Sequence, residues 1–366
     1  MLGLAAALYG LPGLLLGPLL GALADRKSPA LIMLLSAFAR FVTSFGLALS
    51  HNEIVFIVWI FAKGLSNLGT MPAEQVLMRR LLSNEQVVSA VAVMSIIDQC
   101  TKIFAPLIGA GFSFALSSRG GFALTAVLAI LSAGCAINVA RVVGWGDAGE
   151  RSRKFYPDFV LIRRVLSQRP QLAWPLALVL TFSMILGLYD SIVVVLLRDH
   201  GLPDSAFGTI VSCTALGAIG CALMLRNVLA RVSESKSMII FLAGFSASVA
   251  AAGGLALSLS RLNLGLLCLL WGINGFCYAG GVMAYSISLQ KEAPPDTLGV
   301  VSASARSLQL TALVLGPIAG SWVAQSFGLE TTFVGAGGLG LAMAAYAAFK
   351  HPHGARIAAR STPRQN

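Results

Sequence analysis

Apolar residues run along this chain in long blocks, separated by short polar punctuation. A helix needs about 20 consecutive apolar residues to cross the hydrocarbon core of a bilayer. The pattern predicts eleven helices, over 3–23, 30–50, 54–73, 88–117, 121–140, 173–197, 205–226, 237–258, 264–289, 298–326 and 329–349. The fourth and tenth are long enough to tilt or bend, and Pro106 and Pro317 predict kinks inside them. The short alternating segments of a membrane barrel are absent. The expected fold class is an all-α polytopic membrane protein.

Composition sharpens this picture. The chain is 57% hydrophobic and 11% charged, with a mean hydropathy of +0.81. A soluble domain carries about 25% charge, so these charges are too few to solvate a globule of 366 residues. The net charge of +11 comes from basic residues that flank the spans, so no nucleic-acid partner is expected. Cys100, Cys135, Cys213, Cys221, Cys268 and Cys277 all fall inside apolar runs without metal-ligand spacing, and read as small packing residues. The first apolar run lacks a basic leader, so no cleavable signal peptide is expected.

Lys and Arg in the loops set orientation. One set of loops holds Arg26, Lys27, Arg79, Arg80, Arg141, Arg151, Arg153, Lys154, Arg163, Arg164, Arg169, Arg226, Arg231, Lys236 and Lys291, and the tail adds Lys350, Arg356, Arg360 and Arg364. The opposite set holds only Arg119, Arg198 and Arg261. This places the Asp25 loop, the 141–172 connection and the C-terminus in the cytoplasm. The basic 141–172 segment reads either as a solvated linker or as a linker whose residues 159–166 form an amphipathic helix on the membrane surface.

Across that linker the chain partly repeats. Ser89-Ala90-Val91-Ala92 leads to Ala105-Pro106-Leu107-Ile108-Gly109, and Ser302-Ala303-Ser304-Ala305 leads to Gly316-Pro317-Ile318-Ala319-Gly320. The expected organisation is an N-terminal bundle over 1–140, the cytoplasmic linker 141–172, a C-terminal bundle over 173–349 and a cytoplasmic tail over 350–366.

The turn Gly21-Ala22-Leu23-Ala24-Asp25-Arg26-Lys27 between two apolar runs resembles the loop joining helices 2 and 3 of the major facilitator superfamily of secondary transporters. Pro72-Ala73, Leu81-Leu82, Glu85 and Ser89-Ala90 are similar to the helix 4–5 region of its drug, macrolide and siderophore exporter branch. Gly299-Val300-Val301-Ser302 and Gly316-Pro317 with Gly320 resemble the corresponding C-terminal signature. Three positions depart from the family pattern: Ser28-Pro29-Ala30 follows the loop core, Lys63 stands where the family often has Arg, and Ala105 stands where the second half has Gly316. The resemblance implies two parallel helical bundles with a substrate site between them near the midplane. It also implies that the family's first helix is absent and that the spans divide five and six. A misassigned start codon, a truncated gene and a true eleven-helix variant all fit that pattern.

Ionisable residues at bilayer depth are costly and are default candidates for function. Arg40, Lys63, Asp98, Lys102, Asp190 and Arg306 fall there. Asp98 and Lys102 share a helix face at i, i+4, and read either as a proton-carrying carboxylate held by a cation or as a static pair. Lys63, as counterpart of the family Arg, is assigned to the coupling or substrate cavity, as is Asp190. Arg40 is expected to be paired or snorkelling. Arg306 reads as an anion clamp or an inner-gate lock. Asp25 and Arg26 read as gate residues or as a capped turn with a topology anchor. Trp271, Asn274, Tyr278 and Tyr285 recur at roughly helical spacing, so Asn274 and Tyr278 either line the cavity or pack. Four cations against two carboxylates point to an anionic or zwitterionic amphipathic substrate.

No phosphate-binding loop, hydrolytic constellation or convincing metal site is present in the sequence. The chain is expected to be no enzyme and to use no cofactor or metal. The leading expectation is a monomeric secondary-active exporter of a bacterial-type inner membrane, contacting lipid, a small-molecule substrate and a coupling proton. A truncated non-transporting membrane protein and a lipid or lysophospholipid flippase of the same fold are the alternatives.

Overall fold

The structure is a computed structural model that describes residues 27–50, 52–115, 118–144, 170–203, 205–229, 231–293 and 298–361, together with Leu16. The described residues form twelve helices: α1 Pro29–Leu49, α2 Glu53–Ser66, α3 Thr70–Leu81, α4 Asn84–Ala115, α5 Ser118–Val143, α6 Pro170–Asp190, α7 Val193–Asp199, α8 Ser205–Leu229, α9 Glu234–Ser258, α10 Leu264–Glu292, α11 Leu298–Phe327 and α12 Leu329–Ser361. Nine stretches among them are long and apolar enough to cross a membrane, with α2–α3 and α6–α7 each counted as one stretch. The expected span 3–23 lies outside the described residues.

Local chemistry sets the helix ends. Pro29 opens α1, where its missing N–H costs nothing. The Asn52 side chain accepts the Ile54 N–H at 2.8 Å and caps α2. Ser83 and Gln86 make a reciprocal capping box at the start of α4: the Ser83 N–H donates to Gln86 Oε1 at 2.9 Å, and the Gln86 N–H to Ser83 Oγ at 3.4 Å.

Two of the expected helices are interrupted. The segment expected over 54–73 turns at Asn67–Gly69. There the Ser66 hydroxyl and the Asn67 amide both donate to the Lys63 carbonyl, at 2.7 and 3.2 Å, and so satisfy a carbonyl at the α2 end. The segment expected over 173–197 breaks at Ser191–Ile192 and resumes as α7. Apolar residues resume on both sides of each break, so an apolar run averaged over the length of a span reads across Asn67 and Asp190.

By contact the chain divides into two compact units. The first comprises Met1–Val87, Lys102–Ala173 and Leu289–Thr311, and the second Val88–Thr101, Trp174–Ser288 and Ala312–Asn366. In the first unit α1 packs on α2, α3 and α5. Its buried face is small and polar (Ser36, Ala37, Thr43, Ser44), while Leu35, Phe38, Phe45 and Leu49 are exposed. That inversion suits a solvent of lipid tails, where small residues bring helices together and large apolar side chains stay outside.

The second unit packs α9 on α12 and builds an aromatic core from Phe182, Tyr189, Phe245, Tyr278 and Phe333, with ring centroids 5.3 to 6.3 Å apart. Gly316 and Gly320 of α11 face the backbone of Gly187 and Leu188 on α6, so a side chain at either would collide with main-chain atoms. The Gly-Pro signature read from the sequence thus serves close helix approach. All six cysteines are free thiols.

Candidate functional site

Polar side chains gather at three places, each within one unit. The first lies in the first unit, where α1, α2 and α5 meet. Arg40 is 11 residues into α1, about 17 Å along its axis, and Lys63 is 10 residues into α2, about 15 Å along. The Lys63 ammonium donates to the Ser44 hydroxyl and, at 3.4 Å, to the Arg40 carbonyl oxygen. The Arg40 guanidinium donates to Ser132 Oγ on α5 at 3.2 Å. Ser44 is fully buried and donates to the same Arg40 carbonyl at 2.6 Å. Arg40 is therefore tied to a neighbouring helix.

The second place is an amide tie in the same unit. Gln290, fully buried near the end of α10, donates through its side-chain nitrogen to the Gln75 carbonyl on α3 at 3.0 Å and to the Gln75 side-chain oxygen. Its own oxygen, Oε1, is buried without a partner. Residues 215 apart in sequence meet here. Sequence reading missed both glutamines because an uncharged amide near a helix end looks like an ordinary boundary residue.

The third place lies in the second unit. Tyr189 on α6 donates its hydroxyl to Asn274 Oδ1 at 3.3 Å, and Asn274 on α10 donates to Ser248 Oγ on α9 at 3.1 Å. These three residues, with Val249, Leu270, Trp271 and Phe333, border a narrow polar crevice with no room for a bound molecule. Tyr278 sits one turn from Asn274, half-buried against Phe182 and Phe245. His200 at the end of α7 is also buried, its ring nitrogens 2.9 Å from the Leu196 carbonyl and 3.1 Å from that of Ala256 on α9.

Asp98 is exposed on α4. Lys102 is one turn further along the same helix, and its side chain lies outside the described residues. Asp190 is the exposed last residue of α6, at the break before α7. Arg306 is exposed, eight residues into α11. Asp25 and Arg26 lie outside the described residues.

Apolar spans with polar clusters set inside helical packing define a multi-pass membrane protein. The pattern of the Major Facilitator Superfamily matches residues 1–309 and again 191–365, and the chain belongs to that family. It is 26% identical over 338 residues to an uncharacterized MFS-type transporter, YfiS, of Bacillus subtilis (strain 168), covering 89% of this chain and 78% of that one. Among solved structures it is similar to the human organic anion transporter MFSD10 (TETRAN), with a TM-score of 0.77, 17% identity, and 94% and 83% of the two chains covered. It is also similar to a bacterial homologue of the iron transporter ferroportin in its outward-facing state, with a TM-score of 0.67, 17% identity, and 94% and 89% covered. The family makes this chain a non-enzymatic transporter of a small-molecule substrate.

Proposed function

We propose that this chain exports a small amphipathic anion or zwitterion by alternating access, as a monomer in a bacterial inner membrane with its C-terminus in the cytoplasm. It belongs to the exporter branch whose signature its sequence resembles, with spans divided five and six between bundles over 1–140 and 173–349. Protons entering through Asp98 and Lys102 drive the cycle. Asp25, Arg26 and Arg306 act at the inner gate, and Asp190, Asn274 and Tyr278 contribute polar surface to the substrate path.

The observation that carries this reading is the contrast between apolar spans and Lys63 and Arg40 at bilayer depth, which no carboxylate among the described residues neutralises. Burying ionised groups without a counter-charge is strongly unfavourable, and a transported anion supplies that charge. The similarity to a protein named an organic anion transporter points the same way. The amide tie between Gln75 and Gln290 joins the middle of α3 to the end of α10, and Arg79, Arg80 and Lys291 nearby support a cytoplasmic side there. In the proposed division at 1–140 and 173–349 the tie joins the two bundles, and its breaking accompanies opening of the inner side.

The test is flux in proteoliposomes. A fluorescent organic anion is expected to accumulate against an imposed pH gradient, while a matched organic cation does not. The double variant Gln75→Ala/Gln290→Ala is expected to change the rate of that flux several-fold without abolishing it. Equal transport of cation and anion, or flux indifferent to the pH gradient, sinks the anion or the proton part of the reading respectively.

A further inference from the structure

Lys63 and Arg40 have donors to spare. The ammonium has three N–H groups, and two are held by the Ser44 hydroxyl and the Arg40 carbonyl. The guanidinium has five; one nitrogen donates to Ser132, and the buried Nε has no acceptor. The Arg40 carbonyl also accepts from the Ser44 and Thr43 hydroxyls, at 2.6 and 3.2 Å. Every neighbour in these contacts is a hydroxyl or a carbonyl, and among the described residues no carboxylate reaches either cation. Both cations are half-buried. The hydroxyls and carbonyl fix the two positive groups in place without neutralising them.

We propose that Arg40 and Lys63 form a cradle for a single oxyanion, a carboxylate or phosphate group, received by the terminal guanidinium nitrogens of Arg40 and the remaining ammonium N–H. The proposal rests on the reading that this chain handles anions, and it assigns that anion a place within the first unit. Charge-assisted hydrogen bonds of this kind are shorter and about twice as strong as neutral ones. Arg40 is as much a part of the cradle as Lys63. Ser44 acts as a positioning residue that holds the ammonium.

Trp59 makes the cradle observable. It stands one turn before Lys63 on α2, on the same helix face, with its indole against Gly46 of α1. The full chain carrying Trp145→Phe, Trp174→Phe, Trp271→Phe and Trp322→Phe retains Trp59 as its one indole and is placed in phosphatidylcholine nanodiscs. Benzoate is expected to shift Trp59 emission saturably, while benzyl alcohol and benzylamine shift it at least tenfold more weakly. Arg40→Gln and Lys63→Gln are each expected to weaken benzoate binding at least tenfold, and Lys63→Arg to retain it within a few-fold.

Repeating the titration with phosphatidylglycerol in the disc identifies the source of the anion. If the cradle takes a soluble solute, benzoate binds equally in both discs. If it takes a lipid headgroup, phosphatidylglycerol itself shifts the emission and competes with benzoate; either result supports the cradle. Benzyl alcohol binding as tightly as benzoate to the unsubstituted cradle overturns it, a comparison that needs no charge variant to fold. Unchanged benzoate affinity in folded Arg40→Gln and Lys63→Gln overturns it as well. Binding at equilibrium is independent of flux, so benzoate binding without transport sinks the exporter reading and leaves the cradle standing.

Discussion

Asn274 joins three helices through one amide. Its oxygen takes the Tyr189 hydroxyl from α6, and its nitrogen donates to Ser248 on α9, all at positions closed to solvent. Replacing it by Ala leaves a buried phenol without an acceptor, and an orphaned buried donor costs about 1–3 kcal/mol. Asn274→Ala is therefore expected to lower the thermal unfolding midpoint in detergent. Ser212→Ala, which removes only an exposed hydroxyl bonded within its own helix, should leave the midpoint near that of the parent protein. Equal midpoints for the two variants would remove the bridging role assigned to Asn274. The sequence marked Asn274 as cavity-lining or packing. The structure shows it hydrogen-bonded within the helical packing.

At the scale of elements, close approach decides which helices can pair. Gly316 and Gly320 let α11 lie against the Gly187–Leu188 backbone of α6, and Gly217 and Gly275 do the same for α8 and α10. With lipid tails as solvent there is little hydrophobic drive to associate, so backbone contact and van der Waals packing carry the seam. Gly320→Leu is expected to separate α6 from α11 and sharply reduce the yield of monodisperse protein. Gly335→Ala, where an added methyl meets nothing within 4 Å, should be neutral or slightly stabilising, because Ala favours helix over Gly by about 1 kcal/mol. Size-exclusion profiles of the two variants make the comparison, and a well-behaved Gly320→Leu protein would count against the seam. The small residues were visible in the sequence, but their partners were not. Gly187 carries no signal that distinguishes it from Gly335.

For the whole molecule, the loop charges make the boldest statement. The basic loops and tail predict a cytoplasmic C-terminus by their electrostatic preference for the inner face. Alkaline phosphatase fused after Lys350 is expected to stay inactive, and a fluorescent protein fused there to be bright. An active phosphatase at that position would reverse the orientation and with it the side on which Gln75 meets Gln290. The two compact units also exchange segments relative to the chain's linear halves, with 289–311 grouped in the first and 88–101 in the second. No local pattern encodes that exchange, because it depends on where long helices pass one another.

Hydropathy and loop charge, read along the chain, were enough to determine a polytopic helical membrane protein and most of its helix positions. These follow from the cost of placing polar backbone and charge in lipid, and that cost is local in sequence. Tertiary structure alone decided that Arg40 shares a site with Lys63, that Gln75 faces Gln290 across 215 residues, and that Tyr189 and Ser248 meet on one asparagine. Each of these joins side chains from different helices. A helix face fixes only which residues point the same way, and the packing of its neighbours fixes what they meet.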